Sequence, residues 1–305
     1  MTEARRGLIY GIAAYGLWGL APAFWKLLRG VSPVELIAHR LIWGVAAFVV
    51  IVAVAGAGPA VRAAVADRRT LATMALSGLL LTVNWSVFVG AVAAGHILDA
   101  SLGYFMNPLL SVGLGTLVLG ERLRRLQWLA MAAAVTGVAI LTLRAGHVPW
   151  ISLVLAVTFG SYGLVRKVAR VESLAGSMVE TALIAPLAVL FLVVLATRGE
   201  GQLGHATAYT QVLLVCTGVV TALPLLLFTS AARRLPLSTI GFLQYLAPTG
   251  QFVLAVAAYG EAFTREKLLA FGFIWLGLAV FSVDLVRQAR AVSRRLAPEL
   301  SRTDR

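Results

Sequence analysis

The chain has 305 residues, 60% of them apolar and only 13% charged, with a mean hydropathy of +0.89. A water-soluble domain typically carries about 25% charged residues, so most of this sequence has no aqueous surface to form and the soluble globular class is excluded. The net charge of +13 is spread over short segments between apolar runs, which argues against nucleic acid as a partner and fits the anchoring of membrane helices.

A bilayer core about 30 Å thick needs about 20 apolar residues per helix. Ten such runs follow in order: 7–28, 33–55, 71–93, 100–119, 126–143, 150–165, 177–197, 209–231, 237–258 and 268–286. The expected fold is an all-α polytopic membrane protein with ten transmembrane helices. No connection is long enough for a soluble domain, and the longest, Arg198 to Ala208, reads as a polar surface loop. Arg5 and Arg6 precede the first run, and Ala21-Pro22-Ala23 resembles the small-residue site of a cleavable leader. Its apolar stretch is longer than a leader's, so it reads as a retained helix. The lone cysteine, Cys216, excludes an intrachain disulfide and reads as a small buried hydrophobe.

Lysine and arginine set orientation. With the amino terminus in the cytoplasm, that side holds Arg5, Arg6, Arg62, Arg68, Arg69, Arg122, Arg124, Arg125, Arg166, Lys167, Arg170, Arg233, Arg234 and the arginines of the tail from Arg287. The other side holds Lys26, Arg29, Arg144, Arg198, Arg265 and Lys267. The bias is about threefold and puts both termini in the cytoplasm of a multi-pass inner-membrane protein. The basic tail is expected to rest on anionic lipid headgroups.

A repeat relates the two halves. Pro108 matches Pro248, Gly120-Glu121 matches Gly260-Glu261, and Gly137 matches Gly277, all at an offset of 140 residues with no gap. The expected units are 1–147 and 148–305, each of five spans. Five is odd, so the second unit enters the membrane from the opposite side. Such an inverted-topology repeat places one site near the midplane between two gates.

Polar side chains at membrane depth are costly and usually face a cavity or one another. On the fourth run Tyr104, Asn107, Pro108, Ser111 and Gly115 form one stripe. On the ninth, Gln244, Pro248 and Gln251 take the equivalent positions, with Tyr245 beside them. Each proline frees a carbonyl one turn back, at Tyr104 and Gln244. These residues, with Asn84 beside Trp85 on the third run and Tyr15 and Trp18 on the first, are the candidate substrate-binding residues. Phe159, Gly163 and Lys167 echo Trp18, Pro22 and Lys26 in the second half. The plainer alternative is that they only let helices approach and hydrogen-bond. Glu35, His39 and Trp43 at i, i+4 and i+8, beside Arg40, are candidate coupling or gate residues, and Glu180 is the isolated carboxylate of the second half. Proton coupling through these carboxylates is one reading; a self-compensated interfacial cluster is the other. Asp284 reads as a solvated end charge.

The segments "LDASLGYFMNPLLSVGLGTLVLGERLRRLQWLA", "YGLVRK", "PLLLFTSAARRLPLSTIGFLQYLAPT" and "YGE" together resemble RarD-type members of the EamA family within the drug/metabolite transporter superfamily. The likeness covers nearly the whole chain. It implies a ten-helix permease built from two EamA units around a central cavity; proteins of this type carry the label "chloramphenicol-sensitive". The function expected is secondary-active export of a small organic metabolite or drug by alternating access. A lipid flippase or scramblase of the same fold remains an alternative, as does a membrane-embedded enzyme. The chain has no His-Glu-x-x-His, Gly-x-Ser-x-Gly or Walker motif. His96 and Asp99 form a lone pair where a metal site needs more ligands. No enzymatic activity, cofactor or metal is expected.

Overall fold

A computed structural model describes residues 2–94, 96–145, 148–202, 204–259 and 265–303. Those residues fold into α-helices: α1 (Glu3–Trp25), α2 (Pro33–Val54), α3 (Gly58–Ala66), α4 (Arg68–Ala93), α5 (Ile97–Leu117), α6 (Arg125–Ala145), α7 (Trp150–Val168), α8 (Ser173–Thr197), α9 (Ala208–Arg234), α10 (Leu237–Gln244), α11 (Leu246–Tyr259) and α12 (Arg265–Thr303). Among the described residues, nine helical stretches are long and apolar enough to cross a membrane. The 21-residue α5 is not one of them. Asp99, Tyr104, Asn107 and Ser111 lower its hydropathy, and it packs among α4, α6, α7 and α10.

Helix ends follow their local chemistry. Thr2 caps α1 by accepting from the Arg5 N–H, and Ser32 caps α2 from the Glu35 N–H, with Pro33 pre-set for the first turn. Asp67 opens α4, accepting from the backbone N–H and hydroxyl of Thr70 and the N–H of Arg69. Those bonds, chiefly from the Thr70 hydroxyl, hold its carboxyl below the usual carboxylate range.

Sequence patterning left out α3. Its alanines and early proline suit a helix, but it is too short to span, and Ala64 is buried against Val171, Ala175 and Val179 of the α8 region. The ninth apolar run is broken: α10 ends at Gln244 and α11 starts at Leu246, one turn before Pro248, whose missing N–H frees the Gln244 carbonyl. Pro108 leaves α5 continuous. Gly260-Glu261 lies outside the described residues, as do the side chains of Arg265, Lys267 and the tail beyond 287. Cys216 is half-buried.

Without water as a driving force, membrane helices associate through close packing at small residues. α6 packs on α12, α5 on α7 and α10, α1 on α9 and α11, α2 on α8 and α9, and α4 on α7 and α8. A Cβ placed on Gly137 would sit 2.8 Å from the Ala270 carbonyl, and one on Gly277 would sit 2.7 Å from the Ala130 carbonyl. These two contacts exchange under the 140-residue offset. A Cβ on Gly218 of α9 would overlap the backbone of Trp43 on α2, whereas one on Gly16 meets nothing within 4 Å. Backbone cannot swing aside as a side-chain tip can. Gly218→Ala is therefore expected to lower stability by about 1–3 kcal/mol through overpacking, seen as a lower Tm in detergent, while Gly16→Ala leaves Tm unchanged. Equal Tm values for the two variants would contradict this packing.

Candidate functional site

The two ends of the bundle are named here by the start of α1: an amino-terminal face and an opposite face. In the half nearer the opposite face, Arg40 of α2 lies between two indoles. Its guanidinium carbon is 4.7 Å from the ring centre of Trp25 on α1 and 4.9 Å from that of Trp85 on α4. Its Nε donates to Thr221 Oγ1 of α9 at 3.0 Å. An isolated cation at membrane depth costs about 2.5–3.5 kcal/mol on insertion scales, and cation–π contacts offset about 2 kcal/mol when desolvated. Tyr104 of α5 faces Arg40 closely enough to couple electrostatically and meets the Phe88 ring edge-on at 5.6 Å. It is 39% exposed although α5 is surrounded by other helices. Since α2 and α5 are not closely packed, the half-buried Arg40 and the exposed Tyr104 are read as bordering a common hollow between the helices.

Next to this hollow, toward the amino-terminal face, Tyr15, Trp18, Phe159, Tyr162 and Phe228 form an aromatic plug joining α1, α7 and α9. Trp18 and Phe159 meet edge-on at 6.1 Å, and Tyr162 stacks on Phe228 at 5.6 Å. Gln244 Nε2 donates to Ser111 Oγ at 2.9 Å, and Asn107 lies one turn from Ser111 on the same face of α5. Asn107 Oδ1 and Gln244 Oε1 are buried with no hydrogen-bond partner. The Tyr15 hydroxyl turns toward Gln244 without making a bond of good geometry.

The other expected site residues have partners. Asn84 donates to the Leu155 carbonyl and to Thr158 Oγ1, both at 2.9 Å, tying α4 to α7. Tyr245 points away from the hollow into the apolar cluster of Phe105, Ala134, Val138, Phe271 and Ile274, donating to the Phe105 carbonyl at 3.3 Å. Gln251 reaches the Trp18 carbonyl at 3.4 Å. Tyr104, Asn107, Ser111, Gln244, Tyr15 and Trp18 thus gather around the hollow and plug, joined by Arg40. Asn84, Tyr245 and Gln251 tie helices together. A separate crevice of about 490 Å³ between α2, α3 and α8, lined by Val49, Val52, Val61, Arg62 and Met178, contains none of these groups.

Both carboxylates expected to act in coupling or gating have partners. Glu35 Oε1 accepts from the Gln202 N–H at 2.6 Å and lies 3.7 Å from His39 Nε2, pinning the loop before α9 to α2 on the opposite face. Glu180 on α8 lies 3.7 Å from Arg166 of α7 and accepts from Ser77 Oγ and, at 3.3 Å, from Tyr162 Oη. Asp284 is not a solvated end charge. It is buried and lies 3.6 Å from Arg124, where a half-exposed arginine compensates it.

Sequence patterning missed the role of Glu121. The first turn of α10 follows Pro236 and has no side-chain cap of its own, so its leading N–H groups need an outside acceptor. Glu121 supplies it: Oε1 accepts from Leu237 N–H at 2.6 Å, and Oε2 from Ser238 N–H at 2.9 Å and Ser238 Oγ at 2.7 Å. Gly120, at φ +67°, supplies the left-handed turn that delivers the carboxylate. The recurring Gly-Glu pair was the available signal. Lys167 donates to the Leu235 carbonyl and Arg233 to that of Val171, so several polar ties converge on this face.

Comparison with known proteins agrees with this architecture. A model of the EamA-like transporter family matches residues 5–143. A protein of Vibrio cholerae, named an uncharacterized transporter, is 44% identical over 96% of this chain and 97% of its own. Protein RarD of Escherichia coli is 40% identical over 96% of this chain and 99% of its own. The chain belongs to the EamA-like transporter family. Within that family it is of the RarD type, a multi-pass transporter-family protein of the inner membrane. A crystal structure 21% identical in sequence shares the fold, with a TM-score of 0.69 over 90% of this chain and 96% of that one.

In this EamA-family chain Glu121→Ala deletes three bonds to α10. A charge-assisted bond is worth about 1.5–3 kcal/mol, so a loss on the order of 2–4 kcal/mol in stability is expected, read as a lower Tm in detergent. Glu121→Gln, which keeps an acceptor but no charge, should lose less. A wild-type Tm for the alanine variant would remove Glu121 from this role.

Proposed function

We propose that the chain is a secondary-active transporter that moves a small organic solute outward by alternating access of two inverted five-helix repeats, 1–147 and 148–305, with both termini in the cytoplasm. The observation that carries this reading is the set of unpartnered polar atoms, Asn107 Oδ1, Gln244 Oε1 and Tyr15 Oη, buried on α5, α10 and α1. Buried polar groups are nearly always satisfied, and at membrane depth an unsatisfied one is tolerated where a ligand or water completes it. The reciprocal Gly137–Ala270 and Gly277–Ala130 contacts support two units related by a two-fold axis. The Glu121, Lys167, Arg233 and Arg166–Glu180 ties close the amino-terminal side in this conformation, and Tyr104 and Arg40 remain reachable from the other.

The solute contacts assigned on this reading are Tyr104, Asn107, Ser111 and Gln244, flanked by Tyr15 and Trp18. Asn107→Leu removes polar recognition without breaking a bond from Oδ1. It is expected to reduce solute counterflow in proteoliposomes at least tenfold while Tm stays near that of the wild type. Normal counterflow would misplace the site. Fluorescent-lipid flipping measured in the same vesicles separates a solute carrier from a flippase, which would move the lipid and give no counterflow.

Glu35 and Glu180 are proposed to couple transport to protons. A proton on Glu180 removes the charge that faces Arg166 and turns one of the two oxygens that accept from Ser77 and Tyr162 into a donor. A proton on Glu35, beside His39, weakens the tie to Gln202. The double variant Glu35→Gln, Glu180→Gln is then expected to carry solute with flux that no longer depends on pH between about 5 and 8. Flux that keeps its wild-type pH profile would place coupling elsewhere.

A further inference from the structure

Arg40 is a cation with no counter-charge. Among the described residues no carboxylate lies within 4 Å of its guanidinium, and only Nε has a hydrogen-bond acceptor, Thr221. The groups facing it are neutral on every side: Trp25 from α1, Trp85 from α4, Tyr104 from α5 and Thr221 from α9. The carboxylate on its own helix, Glu35, is taken up by the Gln202 N–H and His39. The terminal nitrogens form a planar fork suited to two parallel bonds with a carboxylate or phosphate. Both indole faces are already occupied by the guanidinium, which holds that fork in one orientation.

The second half gives the contrast. At the 140-residue offset Arg40 corresponds to Glu180, and at 141 Trp25 corresponds to Arg166. There the two charges neutralise each other at 3.7 Å, and Ser77, Ser177 and Tyr162 satisfy them further. The position that in one half is a closed ion pair is in the other an open cation beside a hollow. A positive charge held at membrane depth with its fork unused is a site that lacks its anion.

We infer that the hollow at Arg40 binds the anionic group of a small organic anion, a carboxylate or a phosphate, whose apolar body lies against Phe88, Tyr104 and the free edges of Trp25 and Trp85. A zwitterion fits less well, because no free carboxylate stands beside Arg40 to receive an ammonium. This assignment deepens the transport reading and depends on it only for the step from bound anion to carried solute.

The test uses the purified full chain in detergent, in a low-salt zwitterionic buffer free of added chloride, carboxylate and phosphate. Benzoate, 4-phenylbutyrate and phenyl phosphate are titrated against the neutral analogues benzamide and methyl benzoate, with lysophosphatidylglycerol as the lipid-headgroup arm. Binding is read as a rise in Tm and as a change in tryptophan fluorescence, since Trp25 and Trp85 frame the site. Anions are expected to bind at least about tenfold more tightly than their neutral counterparts. Arg40→Gln should lose that preference, and Arg40→Lys, which keeps the charge but not the fork, should keep part of it. Preference for the carboxylates, the phosphate or the lysolipid identifies the source of the anionic group. If neutral analogues bind as well as anions, if no anion binds the wild type, or if a folded Arg40→Gln keeps the preference, the inference fails. The fluorescence titration of the wild type decides the matter even if Arg40→Gln does not fold. Anion binding without counterflow of the same anion would retain the site and remove the transport reading; counterflow of a neutral solute alone would do the reverse.

Discussion

In hydrocarbon no water is available to complete a hydrogen bond, and every polar group that enters must bring or find its own partner. Most of this chain obeys that constraint by the simplest route. Thr82, Thr116, Thr136, Thr142 and Ser282 each turn back to a carbonyl of their own helix. Asn84 crosses from α4 to α7 and satisfies both its donors there. Against this background the exceptions are few, and several of them face one region: the unused fork of Arg40, the Asn107 and Gln244 carbonyl oxygens, and the Tyr15 hydroxyl. Three further unpartnered buried atoms among the described residues, His39 Nε2, Trp43 Nε1 and Arg166 Nε, sit at other helix contacts.

The large features were legible because they rest on length and composition alone. A run of about 20 apolar residues has essentially one way to sit in a bilayer, and the Pro108/Pro248 and Gly137/Gly277 matches need no knowledge of neighbours. What was not legible depends on rotation about a helix axis or on distant partners. Tyr245 is adjacent in sequence to Gln244, yet one residue is about 100° of helix rotation. That step, at the break between α10 and α11, carries it from the hollow into the Phe105–Phe271 cluster. Glu121 could be seen to recur but not to cap anything, since the N–H groups it serves are 116 and 117 residues away. Arg40 stood out as a charge within an apolar run. Its indole neighbours come from two other helices, and nothing in the local pattern names them.

The same constraint explains why α5, which carries Asp99, Tyr104, Asn107 and Ser111, packs among four other helices, α4, α6, α7 and α10. Asp99 is buried near Ser152, whose hydroxyl donates to the Asp99 carbonyl at 2.6 Å, and Asn107 and Ser111 face Gln244 rather than lipid. A helix carrying these groups could not present a side to acyl chains, so its polarity forces it inward. Its inward position then puts Tyr104 at the wall of the hollow. Composition thus fixes placement, and placement fixes which side chains a solute would meet.

A two-fold backbone with identical side chains in both halves would have no reason to prefer one conformation. Here the Gly137–Ala270 contact repeats at Gly277–Ala130, while the charged and polar chemistry does not repeat. One face is joined by the Glu121 cap of α10, the Lys167 and Arg233 bonds to carbonyls, and the neutral Arg166–Glu180 pair; the other has the Glu35 tie to Gln202. On the alternating-access reading proposed above, each tie made in one conformation would be broken in the other, their difference would set the resting population, and a solute would shift it only by its own difference in affinity for the two states. An anion at Arg40 is suited to that role. Its charge interacts most strongly where water is excluded, so closing the opposite face over it strengthens the contact, while opening the amino-terminal face lets water in and weakens it. On this account the unpaired cation is what converts binding into a bias between the two halves.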